Sequence, residues 1–494
     1  NLNLKGGRLM GFFSGLYSKA KGWIMSLLPV QDIFKQMGIK PQFSASMPTL
    51  IESWRNAYQG HPEWLKSDDD KSLGFPTVVC WDIAKKAIGE LEIGASLPTP
   101  EGKENAEHKF TEDLVARLIK PVIRTQLEYA LALGGVVARP WYDQKAGKVR
   151  IGWYTADMAL PTAWDGRKLT GVVLIDRIVR IESNVKTVWT KLESIQPAEG
   201  GWTIGTKLYK SATEGQLGTE VSLTAIPQWA EITPVVGITG EICPFTYMAT
   251  PWANNKDFTS AQGTSLFRDA MGMLEELDRV YTTLCWEIEA GKAAVFVDDS
   301  MIEIDPATGR DKLNQLDRRL YRKLSSVEGK DLLEPYSPQL RVDQLNAALK
   351  TQLSLICMAC HLDAGAYVYD QAAQAVTATE VRTKQQNTYG TIVDIQDQMI
   401  RPFVSELIDN IRAVQQLYGI EAIPDDILLG LDFGDSILVD EETDRINAQN
   451  EVSAGLRSKL DYLMEYRGMT ETQALAEMER IKAETPVVQG FFGA

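Results

Sequence analysis

Cys357-Met358-Ala359-Cys360-His361 carries the two-thiol, one-imidazole spacing that attaches haem. The two cysteines also share one face at the end of an amphipathic helix, and a buried packing role is the expected one. Leu431-Asp432-Phe433-Gly434 contains the magnesium-binding triplet of kinases. No His-Arg-Asp catalytic loop, glycine-rich phosphate loop or Val-Ala-Ile-Lys strand accompanies it, so phosphoryl transfer is not expected. Asp68-Asp69-Asp70 offers three carboxylates for a hard cation, or a solvated loop. The basic run Arg318-Arg319-Leu320-Tyr321-Arg322-Lys323 offers cations to phosphates or an acidic partner, or a solvated face balanced by Asp311, Asp317 and Glu328. Only His61, His108 and His361 are available for imidazole chemistry. No GxxxxGK[ST] loop occurs, so any nucleotide-driven work must come from a partner. Neither a catalytic group, a metal nor a cofactor is expected.

The elements that would carry these residues belong to a chain of 494 residues, enough for two to four folded units. Lys and Arg total 51 against 66 Asp and Glu, a formal charge of −15 that is the opposite of a sequence-reading DNA binder. Five scattered cysteines point to a reducing site of synthesis rather than a disulfide scaffold. No run approaches the roughly 18–20 uncharged apolar residues of a spanning helix. The amphipathic start, with Leu9, Phe12, Phe13, Leu16 and Trp23, is expected to dock on protein, with a membrane surface as the alternative.

Hydrophobic spacing predicts helix up to about residue 133, with Leu114, Leu118, Val122 and Leu127 on one face and Gly134-Gly135 as the stop. Alternation then predicts an antiparallel meander over 136–226, broken at Asp165-Gly166 and Gly200-Gly201. Residues 251–263 read as an exposed connector. A helix of roughly 40 Å is expected over 265–290, and a compact mixed insert over 293–338. A second helix runs from 342 to about 361. A loop with Tyr367 and Tyr369 covers 362–376, and a third helix starts at Thr377 and is kinked near Met399 by Pro402. Two last helices, 441–466 and 470–484, flank Gly468. The fold class is α+β.

Two blocks carry a family resemblance. Ala132-Leu133-Gly134-Gly135-Val136-Val137-Ala138-Arg139-Pro140-Trp141-Tyr142-Asp143, followed by Lys148-Val149-Arg150-Ile151 and by Asp157 to Asp165, resembles the portal proteins of long-tailed bacteriophages. Leu362-Asp363-Ala364-Gly365-Ala366-Tyr367-Val368-Tyr369-Asp370 and Thr377-Ala378-Thr379-Glu380-Val381 are similar to that family's tunnel loop and following helix.

The resemblance implies a wing (1–262), a first stem helix (263–291), a clip (292–341) and a second stem helix (342–361). A tunnel loop (362–376), a long kinked helix returning to the wing (377–435) and a crown with tail (436–494) complete the subunit. It also implies a ring of about twelve subunits at one capsid vertex. Twelve helices at roughly 9–10 Å spacing would leave a bore of roughly 25 Å, wide enough for a duplex of about 20 Å. The function implied is a non-enzymatic conduit for double-stranded DNA in packaging and ejection. Its implied partners are the terminase large subunit, head-completion and adaptor proteins, and the major capsid and scaffolding proteins, with no membrane. The protein would be made in the host cytoplasm and reside in the virion. Tyr367, Tyr369, Asp363 and Asp370 would face the DNA channel, and Arg318, Arg319, Arg322 and Lys323 would dock a partner at the clip. Val376 stands where relatives often carry Lys before the Thr-Ala-Thr-Glu-Val segment, so a basic loop contact to DNA is not expected. The competing readings are a redox or haem protein using Cys357, Cys360 and His361, and a peripheral membrane protein using the amphipathic start.

Overall fold

The computed structural model describes residues 30–42, 46–99, 105–182, 185–258, 260–291, 294–298, 321–324, 333–336, 339–368, 386–434, 448–449, 451–452, 457–467 and 469–484. Its fold is mixed α+β.

Three helices come first: α1 (Val30–Met37), α2 (Met47–Tyr58) and α3 (Phe75–Ile88). Pro48 and Pro76 sit in the opening turns of α2 and α3, where a missing amide costs nothing. α3 buries Phe75, Val79, Cys80, Ile83, Ala84 and Ala87 along one side. The helix expected to continue to residue 133 is interrupted. Strands β1 (Glu92–Leu97) and β2 (Ala106–Glu107) intervene, and β1 finds its main partner near the other end of the chain. Helix then resumes as α4 (Lys109–Leu118) and α5 (Ile123–Leu133), separated around Pro121, which has no amide to continue the ladder.

The α5 stop at Gly134 is a close backbone crossing. Gly134 sits at φ +96°, and a Cβ there would lie 2.3 Å from the Gly263 carbonyl oxygen. A Cβ on Gly263 would meet the Gly134 oxygen at 1.9 Å. Only two glycines let these chains touch.

The meander is present. β3 (Gly135–Asp143) and β4 (Lys148–Thr155) pair antiparallel. β5 (Ala159–Asp165), β6 (Lys168–Glu182), β7 (Val185–Ala198), β8 (Gly201–Ser211), β9 (Thr219–Val221) and β10 (Val235–Thr239) form a second sheet in the order β10-β8-β7-β6-β5, with β9 beside β8. The turns at Gly166 (φ +59°) and Gly200 (φ +70°) close its hairpins. β11 (Thr246–Ala249) returns to β3. Val137, Val172, Leu174, Ile195 and Phe245 fill a core between the two sheets.

Residues 251–263 are only partly the exposed connector that their polarity predicts: Ala253, Asn255, Lys256 and Phe258 are exposed, but residues 260–263 turn inward. Asp257, Ser260 and Gln262 are buried, and the Thr250 hydroxyl donates to the Thr264 carbonyl at 2.9 Å while accepting the Thr264 amide at 3.0 Å. The polar residues here satisfy backbone groups inside the fold.

The following helix is also shorter than its hydrophobic spacing suggests. The Leu266 amide donates to the Leu131 carbonyl at 2.8 Å, which commits 264–270 to packing, and α6 is Met271–Ala290, about 30 Å long. A mixed three-stranded sheet follows. β12 (Ala294–Asp298) pairs in parallel with β13 (Tyr321–Leu324) and antiparallel with β14 (Leu333–Tyr336). α7 (Val342–Ala359) then packs back on α6. The pair is clasped at the sheet end by Arg341, whose Nη2 and Nε donate to Glu287 at 2.8 and 3.1 Å.

α8 (Gln386–Ile395) leads into a π-helical turn at Gln396–Ile400 and then α9 (Arg401–Leu417). The distortion sits where Pro402 was expected to bend the helix. Widening the turn accommodates a residue that lacks an amide and crowds the carbonyl before it. β15 (Leu428–Asp432) completes the sheet β15-β1-β2. α10 (Lys459–Arg467) and α11 (Glu471–Glu484) end the described chain. Among the described residues no helix is long and apolar enough to cross a membrane.

Candidate functional site

The chain leaving α7 turns sharply through Cys360, the residue after the helix, and His361, which has φ +60°. Two contacts then tie it to α8. The Asp363 carboxylate accepts the amides of Asn387 (3.3 Å) and Thr388 (3.0 Å), capping α8, while the Asp363 amide donates to the Thr388 hydroxyl at 3.1 Å. The Thr391 hydroxyl donates to the His361 carbonyl at 2.7 Å.

A third contact ties it to α3. The Tyr367 hydroxyl donates to Asp82 at 2.6 Å, its ring meets Phe75 edge-on with centroids 5.2 Å apart, and Lys86 lies 6.0 Å from its centroid. Lys86 also pairs with Asp82 at 2.8 Å. Burial, with Asp82 beside it, pushes the Tyr367 phenol far above its ordinary range, so it donates and does not ionise. These contacts tie residues 361–367 to α3 and α8.

The thiols nearby are packing groups. Cys80, Cys357 and Cys360 are all buried in the main core. Burial pushes Cys360 up to about 12 and raises Cys80 and Cys357 as well. His361 is exposed, its Nε2 3.4 Å from a nitrogen of Arg268. The spacing resembles a haem motif, but the helix turns both sulfurs inward and the imidazole outward. Among the described residues no cluster of three or more His, Cys, Asp or Glu side chains could hold a metal. Asp70 instead accepts the amides of Lys66 and Ser67 at 2.8 Å each. The kinase-like triplet is the end of β15, where Asp432 caps its own turn through the Gly434 amide at 3.0 Å.

One family model covers most of this chain: phage portal protein, SPP1 Gp6-like, matching residues 97–488. The chain belongs to the SPP1 Gp6-like phage portal protein family. It is accordingly a structural, non-enzymatic protein and a virion component. No curated protein matches it in sequence. Similar solved structures include a chain from the neck of an empty GTA particle, at 11% identity and TM-score 0.42, covering 87% of this chain and 96% of that one. A chain from the virion of a native gene transfer agent particle is similar at 11% identity and TM-score 0.40, covering 89% and 98%.

Of the residues expected to face the portal channel, Asp363 and Tyr367 are spent on contacts within the subunit. Tyr369 and Asp370 lie outside the described residues, as do Arg318, Arg319 and the amphipathic start. Arg322 and Lys323 stand on β13, at the register positions of Phe296 and Val297 of β12. Sequence reasoning missed Asp82, which receives Tyr367. It also missed Asp278, buried on α6, which accepts the Trp64 indole N–H (3.0 Å) and the Leu73 amide (2.9 Å) and so fastens the 61–74 loop to that helix. A carboxylate inside an apolar stripe was the only available signal for Asp278.

Proposed function

We propose that this portal-family chain assembles into a closed ring of about twelve copies and serves at a capsid vertex as the conduit for double-stranded DNA. The observation that carries the ring is the set of large apolar side chains left exposed along the α6/α7 pair. Trp286 (64% exposed), Ile288 (48%), Leu355 (41%) and Met358 (62%) stand in solvent on two helices that otherwise pack against each other. Large apolar groups left open along a helix pair mark a protein contact, and a heterologous contact repeated around an axis closes into a ring.

In this reading 1–262 is the wing, 263–291 and 342–361 are the stem helices, and 292–341 is the clip. The loop 362–376 faces the bore, 377–435 returns to the wing, and 436–494 is the crown and tail. Asp363 and Tyr367 hold the loop's base, leaving Tyr369 and Asp370 as its channel residues. Arg318, Arg319, Arg322 and Lys323 of the clip dock the terminase large subunit during packaging and adaptor proteins afterwards. Capsid and scaffolding proteins hold the rim. Negative-stain imaging with native mass spectrometry tests the ring directly: closed rings with a central hole are expected, and a monomer or dimer at all salt and protein concentrations would overturn it.

A further inference from the structure

The exposed side of α3 carries a feature that the channel reading does not use. Trp81 is 43% exposed, and two cations from different helices stand over its indole. Lys85 of α3 has its ammonium 5.2 Å from the ring centroid, and the guanidinium of Arg124, on α5, lies 5.4 Å away. Among the described residues neither cation pairs with a carboxylate. The nearest acid on the helix, Asp82, is taken by Lys86 and Tyr367. What sets the place apart is that two cations from two helices share one indole.

The indole does two things to it. Its π-face holds both cations at one place without neutralising them. It also replaces the carboxylate that would otherwise quench them, leaving their N–H donors free for an external anion. The place is specific, because the adjoining residues on the same helix, Asp82 and Lys86, are the groups that meet Tyr367. The patch therefore lies beside the base of the 362–376 loop.

We propose that Trp81, Lys85 and Arg124 form a contact site for the phosphate backbone of double-stranded DNA, read without sequence preference. The ligand follows from the channel reading, and the charge argument selects it over a protein partner. The exposed apolar groups at this place are chiefly Trp81 and Val78, far short of the roughly 800 Å² per side that a stable protein interface buries. Phosphate contacts need no such area, because released counterions supply the driving force. Two contacts per subunit are few enough for DNA to slide past.

The test uses the full chain and a fluorescent random-sequence duplex, with anisotropy followed from about 50 to about 200 mM salt. Each neutralised phosphate contributes a slope of about 0.9 in log affinity against log salt. Wild type should therefore lose at least about ten-fold more affinity over that range than Lys85→Gln/Arg124→Gln. Arg124→Lys, which keeps the charge, should restore part of the slope. Thermal melting and native mass spectrometry of each variant check fold and assembly. Equal slopes in wild type and double variant, or no duplex binding by wild type, overturn the site. Altered assembly with unchanged duplex binding would reassign the patch to a subunit contact and overturn it too. A wild-type chain that binds duplex in this way but forms no ring would sink the channel reading while leaving the phosphate site standing.

Discussion

At the scale of single residues, the site is held by side chains that look dispensable in the sequence. Tyr367→Phe removes one hydrogen bond to an ionised carboxylate and should cost about 1.5–3 kcal/mol, less whatever solvent recovers at this half-buried position. A shift of the urea midpoint, with faster hydrogen exchange in 362–368, checks it. Glu287 supplies a pH dependence. Its hydrogen bonds from Arg341 hold the carboxyl below its ordinary value of 4.5. A depressed carboxyl stabilises the fold above the unfolded value and loses that contribution as pH falls through the folded one. Glu287→Gln should therefore melt below wild type at pH 7, with the gap closing below about pH 4. The cysteines give a third outcome. Cys80, Cys243, Cys357 and Cys360 are buried and Cys285 is half-buried, so thiol labelling of the native chain followed by peptide mass mapping should mark Cys285 first.

Elements meet in this protein through backbone as much as through side chains. The Gly134–Gly263 crossing joins the end of α5 to the approach to α6, and a methyl at either position strikes a carbonyl of the other strand. Gly134→Ala also forces an L-residue to φ +96°, and together these should cost about 2–4 kcal/mol in a denaturant titration. Pro402→Ala is expected to act in the opposite direction. With an amide restored, the π turn at 396–400 can relax toward regular helix, and protection of that segment in hydrogen exchange should rise.

Across the whole molecule, the balance is between a net charge of −15 and the large apolar side chains that α6 and α7 leave exposed among the described residues. Trp286→Asp/Met358→Asp should leave the monomer folded, since both side chains are exposed, and should shift rings to monomers in native mass spectrometry. Raising salt should favour ring assembly of wild type, because each subunit carries a formal −15 and repulsion between copies is screened.

The α+β class, the antiparallel meander, the two helices around an inserted sheet and a helix distortion just before Pro402 were all legible from the chain, because each rests on local periodicity or on a residue whose stereochemistry acts where it stands. The family was legible for the same reason: Gly134-Gly135 and the run from Leu362 are local spellings. What the chain could not show were pairings between distant segments. β1 seeks β15, Leu266 gives its amide to Leu131, and Asp363 accepts the amide of Thr388 on α8. Polar residues at 257–262 read as solvent-facing until backbone groups from elsewhere claimed them. The Asp82 carboxylate that receives the Tyr367 hydroxyl comes from a helix 285 residues earlier and left no trace in the local pattern. Hydrophobic period says which face is buried; only the tertiary fold decides what lies against it, and that decided which of the expected site residues are spent inside the subunit.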